Sequence, residues 1–376
     1  MDEWHKYALS DFVTRITRRN KNNESSLPLT ISAQYGLVDQ ITFFNKTVAS
    51  IDLSGYYLLY NGDFAYNKSY SNDYAWGAVK RLDKYEKGCL SSLYFVFRPT
   101  DKVDSDYLTH YFETSKWHKG ISDIAGEGAR NHGLLNMAVD DYFATKHYLP
   151  SLSEQKEIAC FLNLITKRIE IQNKIISDLK VLKKELCNKV FSNGSTVRLG
   201  DFIEEVTTRN KSNSCENVLS VSNKMGFIKQ SEQFEDRTIA SENKSNYKVV
   251  TEGCFAYNPA RINVGSIALL STYKIGIISP MYVCFKTKST LDSEYLNFYY
   301  QSGFFYKELQ KKLEGSVRQC LTYENMSEII IPYVGIEKQK AIAATLNKFA
   351  TLIANEEKYL KSLQKQKSYF LSAMFI

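Results

Sequence analysis

At 376 residues and 43.2 kDa, the chain is longer than one compact core usually needs, which predicts two domains. It is 44% hydrophobic and 24% charged, a globular composition with no apolar run of membrane-spanning length; the Met1-Asp2-Glu3-Trp4 start carries no leader signature, so neither a membrane span nor a secretory signal is expected. Seven cysteines without a single CxxC pair speak against a zinc knuckle and a disulfide framework, and for a reducing compartment, most simply the cytoplasm.

The net charge of +7 suggests an anionic partner, but its distribution matters more. Residues 1–150 carry 17 basic and 18 acidic side chains, 151–195 carry 8 and 5, 196–335 carry 16 and 15, and 336–376 carry 7 and 3. The surplus sits in the two short segments. Nucleic-acid binding by the two large blocks must therefore rest on pattern.

Residues 1–150, the first block, mix β-rich runs with helical stretches. Leu93-Tyr94-Phe95-Val96-Phe97 predicts a buried strand, and Asp106 to Thr114 a helix. Three polar clusters are candidates for binding. Thr17 leads into Arg18, Arg19, Asn20 and Lys21, where arginine can reach a guanine edge, asparagine an adenine edge, and either a phosphate. Tyr66, Asn67 and Lys68 follow a buried Phe-Ala, so the chain surfaces there. Gly126-Glu127-Gly128-Ala129 forms a glycine-assisted turn that presents Arg130. The competing readings are a solvated turn, an ordinary loop and an arginine capping nearby carbonyls.

Beyond Pro150 the texture changes. From Ile158 an apolar seam runs through Leu162, Ile165, Ile169, Gln172, Ile176, Leu179, Lys183, Leu186 and Val190. Its 4-3-4-3 spacing over residues 151–195 predicts a long supercoiling helix of about 60 Å, started near Ser153 and stopped by Asn193-Gly194.

The sequence then restarts. Leu9-Ser10-Asp11-Phe12 recurs as Leu199-Gly200-Asp201-Phe202, and Arg19-Asn20-Lys21 as Arg209, Asn210 and Lys211. Gly62-Asp63-Phe64-Ala65-Tyr66-Asn67 recurs as Gly253-Cys254-Phe255-Ala256-Tyr257-Asn258, followed by Arg261. Ser91 and Tyr94 match Ser279 and Tyr282, Tyr107-Leu108 matches Tyr295-Leu296, and Arg130 matches Arg318. The order holds throughout and the offset drifts by only a few residues, which marks an internal duplication. Within residues 196–335, Ile275 to Ile278 and Met281 to Phe285 predict strands, and Ser293 to Gln310 a helix interrupted at Gly303. After Pro332 the second seam follows in residues 336–376, through Ile342, Leu346, Phe349, Ile353, Glu356, Leu360, Leu363, Lys367, Phe370 and Met374. Both seams are polar at the same two places, so the helices are expected to pair with each other. The predicted fold is α/β or α+β: two repeated globular domains separated by two long helices, paired as an antiparallel coiled coil in a pseudo-two-fold arrangement. A homodimeric coiled coil is the competing arrangement.

No GxGxxG or P-loop pattern occurs. Asn258-Pro259-Ala260-Arg261 lacks the second proline and aromatic of an amino-methyltransferase motif, and Glu337-Lys338-Gln339-Lys340 lacks the upstream acid of a restriction-type nuclease. All five histidines lie in the first half, so no chemistry common to both repeats can use them. The pattern favours a binding protein over an enzyme.

Two diverged units, each followed by a long helix, resemble the specificity subunit of Type I restriction–modification systems over essentially the whole chain. The strongest elements are Leu149-Pro150, Leu152, Glu154-Gln155-Lys156, Ile158-Ala159 and Leu162, repeated at Ile331-Pro332, Ile336, Gln339-Lys340, Ile342-Ala343 and Leu346. The resemblance implies a non-catalytic DNA reader. Residues 1–150 and 196–335 would be target recognition domains, each reading one half of an interrupted site in double-stranded DNA, and the helices would set the spacing. It further implies two modification subunits that bring S-adenosylmethionine, motor-nuclease restriction subunits, and no cofactor, metal or membrane contact in this chain. A self-associating coiled-coil adaptor with two protein-binding globules is the alternative from a different class.

Overall fold

The computed structural model describes residues 3–46, 49–50, 52–70, 74–126, 133–192, 194–223, 225–233, 244–314 and 319–376. It divides into two units, Met1–Asn173 with Tyr359–Ile376, and Lys174–Lys358.

The first unit contains β1 (His5–Ala8), β2 (Val13–Arg15), β3 (Leu29–Ser32), β4 (Gly36–Asp39) and β5 (Tyr57–Tyr60). It continues with β6 (Phe64–Asn67), β7 (Ala78–Arg81), β8 (Lys87–Leu90), β9 (Phe95–Pro99) and β10 (Lys146–Leu149). An antiparallel sheet of order β2-β9-β6-β7 is its centre; β1 pairs with β10, β3 with β4, and β5 with β8. The Phe-Ala-Tyr run of β6 explains the layering, because strand side chains alternate between faces. Phe64 and Tyr66 join Phe97, Phe112, Trp117 and Tyr142 on the helical side, whereas Ala65 faces Leu29, Leu59 and Leu90 on the other. Phe64 stacks on its cross-strand partner Phe97 with ring centroids 5.5 Å apart, worth about 1 kcal/mol beyond burial.

The second unit repeats the plan with β11 (Ser195–Arg198), β12 (Ile203–Glu205), β13 (Val218–Ser222), β14 (Gly226–Lys229) and β15 (Lys248–Thr251). It ends with β16 (Cys254–Tyr257), β17 (Ile267–Leu269), β18 (Ile275–Ile278), β19 (Val283–Thr287) and β20 (Ile330–Tyr333). Its central sheet has order β12-β19-β16-β17, and β14-β13-β18-β15 forms a second sheet with one parallel pairing. Phe255 and Tyr257 face the helical side while Cys254 and Ala256 face the second sheet. Gly88 and Gly276 hold equivalent places, where a Cβ would come within 2.5 Å and 2.4 Å of the Leu29 and Leu219 side chains. Glycine there lets each leucine cross the neighbouring strand.

Two strands begin later than the apolar runs predict. β9 starts at Phe95 and β19 at Val283, while Leu93 and Met281 stand in turns, 62% and 60% exposed. A continuous apolar run does not show where pairing begins.

The long helices span Leu152–Phe191 and Ile336–Ala373. No seam position of either helix is exposed. In the first unit Phe161 meets Phe370 with centroids 4.8 Å apart, and Arg168 lies over Tyr359; in the second, Lys180 pairs with Glu357 at 2.7 Å. Low numbers on one helix meet high numbers on the other, so the helices run antiparallel. The seam lysines turn toward their own globules, Lys367 to Glu113 at 2.8 Å and Lys183 over the Phe298 ring. The first helix is capped by Ser151 and not Ser153: the Ser151 hydroxyl accepts from Glu154 N–H and its carbonyl from Gln155 N–H. Gln155 and Gln339 are buried and do the same work. Their Oε1 atoms accept the N–H of Asp104 and Asp292, each at 2.8 Å, and their amides donate to Pro150 O and Val334 O. The motif glutamine thus fixes each helix start to the cap of a globular helix.

Candidate nucleic-acid interface

The repeated Arg-Asn-Lys loops fold back on themselves. Asn20 is fully buried; its amide donates to Ser25 O at 2.9 Å and its Oδ1 accepts Ser25 N–H at 3.1 Å. Asn210 bonds Cys215 the same way, at 3.0 and 3.2 Å. Arg19 and Arg209 donate to equivalent carbonyls, Gly55 O at 2.6 Å and Asn246 O at 2.7 Å, and Arg19 also lies over the Tyr57 ring. All four side chains brace the fold around their loops, and Arg209 is exposed as well. Lys21 and Lys211 remain exposed.

Arg18 is also held within the fold. It donates to Leu58 O at 2.8 Å, ion-pairs with the fully buried Asp63 and stacks on Tyr60. Arg98 completes the cluster at 2.6 Å from the other Asp63 oxygen.

Tyr66 and Tyr257 are fully buried and donate to Trp76 O at 2.9 Å and Thr322 O at 3.0 Å. Burial pushes both hydroxyls above the ordinary tyrosine range. Asn67 and Asn258 close side-chain turns, accepting Ser69 N–H at 2.9 Å and Ala260 N–H at 3.1 Å. Lys68 is half-buried with its ammonium 4.7 Å from the Phe95 ring centre, and burial lowers its pKa. Arg130 and Arg318 lie outside the described residues.

Arg261 is exposed and open to a ligand. It lines a cleft of about 610 Å³ with Asn258, Ser222, Asn223, Ser279 and Met281. Tyr247 forms part of the wall, and its carbonyl is held by the Asn210 N–H at 3.0 Å. The Arg-Asn-Lys loop of the second unit is therefore a buttress for this cleft. Among the described residues there is no group of three His, Cys, Asp or Glu side chains that could hold a metal ion, and no helix long and apolar enough to cross a membrane.

Residues 192–365 match the family model of the Type I restriction modification DNA specificity domain. That match covers most of the second unit. Over nearly the whole chain the fold resembles that of solved structures. The S subunit of a Type I restriction–modification system from M. genitalium matches with a TM-score of 0.58 and 14% identity, over 100% of this chain and 96% of that one. A chain solved to establish complex assembly and conformational transition of the type I R-M system matches at 0.55 and 16%, over 99% and 97%. The HsdS subunit of Thermoanaerobacter tengcongensis matches at 0.48 and 16%, over 99% and 96%. No curated protein matches in sequence.

In the sequence the cleft residues Ser222, Asn223, Ser279 and Met281 carry no motif. Ser279 is the repeat match of Ser91, but nothing in the sequence sets it beside Arg261.

Proposed function

We propose that this protein is a specificity subunit that reads an interrupted, asymmetric site in double-stranded DNA, one half with each unit, and that the paired helices set the distance between the halves. The match of residues 192–365 to a DNA specificity domain carries this reading, supported by the recurrence of the same layered plan in the first unit. The chain itself is non-catalytic. Two modification subunits dock on it and supply S-adenosylmethionine-dependent methylation of adenine, and motor-nuclease subunits join for cleavage, all in the cytoplasm.

The near-neutral blocks fit such a division of labour. Phosphate neutralisation dominates most protein–DNA affinity, so two blocks with balanced charge bind weakly alone, and partners contribute most backbone contacts. Co-expression with a cognate modification subunit, followed by genome-wide mapping of methylated adenine, tests this. The expected result is a bipartite motif that appears only when this chain is present. No new methylation, together with failure of the two proteins to co-purify, overturns it.

A further inference from the structure

Single exposed apolar residues are ordinary on any protein surface. Here they recur at two equivalent places in both units. At the tip of the β3–β4 hairpin Tyr35 is 60% exposed, and at the tip of β13–β14 its counterpart Met225 is 73% exposed. In the turn before β9 Leu93 is 62% exposed, and before β19 its counterpart Met281 is 60% exposed.

None of these is a loose loop end. Tyr35 and Met225 donate their N–H groups to the Ser32 and Ser222 hydroxyls at 3.2 and 3.4 Å, and each precedes a left-handed glycine, Gly36 or Gly226, that closes the hairpin. Tyr94 and Tyr282 donate to Ser91 O and Ser279 O at 3.3 and 3.1 Å, which fixes the turns that present Leu93 and Met281. The frame is the same in both units, and the presented side chains differ.

In the second unit these residues flank polar groups. Met281 shares the cleft of about 610 Å³ with Arg261 and Asn258. Ser222 and Asn223 form a wall of that cleft and also of an adjoining one of about 740 Å³, which Met225 lines. The first unit holds its tip differently: Tyr35 packs edge-on against Phe43, 6.4 Å between centroids, and Phe43 against Phe44 at 5.0 Å. Ile41, Phe43 and Phe44 of the short helix Gln40–Phe44 are themselves 43–44% exposed. A rigid aromatic tip stands where the other unit has a flexible thioether.

We propose that Tyr35 and Leu93 in the first unit, and Met225 and Met281 in the second, are specificity-determining residues that press against base edges, where an apolar side chain favours the thymine methyl group over the polar edge of cytosine. The proposal rests on the DNA-reading function above and assigns that function to residues which differ between the units. Arg261 supplies the neighbouring positive charge in the second unit.

The test is methylated-adenine mapping of the complete complex with the wild-type chain, Met281→Ala, Met225→Ala and Leu93→Ala, with thermal unfolding of each. All three variants are expected to unfold like wild type, because the side chains they lose are solvent-exposed. Met281→Ala and Met225→Ala are expected to lower discrimination against single mismatches about tenfold at one or two positions of one half-site only. Leu93→Ala should do this in the other half. A wild-type complex with no bipartite motif defeats the DNA-reading function itself. If wild type gives a motif and the variants keep it with undiminished selectivity, the assignment of these residues fails. It fails equally if a variant relaxes both halves together or shifts the unfolding temperature, since either marks a structural role.

Discussion

Below the turn that joins β5 to β6, the first unit buries a carboxylate; below the equivalent turn, β15 to β16, the second buries a thiol. Asp63 accepts the Tyr60 N–H at 2.8 Å and is held by Arg18 and Arg98. Cys254 receives the Thr251 N–H at 3.4 Å, and the positions of Arg18 and Arg98 are taken by Thr208 and Lys286. Both solutions satisfy the one backbone donor that the turn leaves unpaired. The charged solution requires three residues at once, because a buried carboxylate without its arginines costs several kcal/mol. The two units have therefore diverged in blocks of interacting residues while the backbone plan stayed fixed.

Substitutions that carry one solution into the other frame should be the most damaging. Cys254→Asp places a carboxylate in a fully buried site without arginines, and we expect a loss of about 4 kcal/mol in chemical denaturation of the second unit. Asp63→Ala should cost the first unit about 3 kcal/mol. The loss is smaller because Arg18 and Arg98 are 33% and 43% exposed and regain water once released. If Cys254→Asp is tolerated, the thiol site admits water and the contrast between the units fails.

Acid should separate the units next. His147 is 2% exposed, hydrogen-bonded to Tyr111 and Thr145, and burial pushes its pKa down to about 4; by strand pairing, not by the Pro150 and Pro332 match, its equivalent in the second unit is Ile331. The unfolded chain takes up this proton first, near pH 6.5. Stability of the first unit therefore falls as pH drops from about 6.5 to about 4, by up to about 3 kcal/mol, and is retained above that window. Hydrogen exchange resolved by unit should show protection lost in the first unit and kept in the second. Parallel loss in both contradicts it. Where the units agree, costs should agree: Gln155→Ala and Gln339→Ala each strand a partly buried backbone N–H and the carbonyl before a long helix, for about 2 kcal/mol apiece. Unequal values would show that the two helix starts are not equivalent.

Much of this architecture is legible in the sequence, for physical reasons that differ by element. A 4-3-4-3 apolar seam has one helical explanation, and both seams are covered along their length. The Phe-Ala-Tyr repeat announces a strand buried on both faces. The candidate interface was less legible. Arg19, Asn20 and Tyr66 attract notice as repeated polar or aromatic groups, yet they repeat because each copy needs them to close a loop or support a core. A hydrogen bond from Asn20 to Ser25 leaves no trace in composition. Met281 escaped for the opposite reason: it extends an apolar run and reads as strand, while the chain turns there and exposes it.

The central claim is that each unit reads its own half of the site. It is tested most directly by replacing residues 1–150 with the corresponding block of another specificity subunit and mapping methylated adenine in the resulting complex. The account predicts a new half-site joined to the original second half, with the spacing unchanged. A motif altered in both halves, or not altered at all, would contradict it.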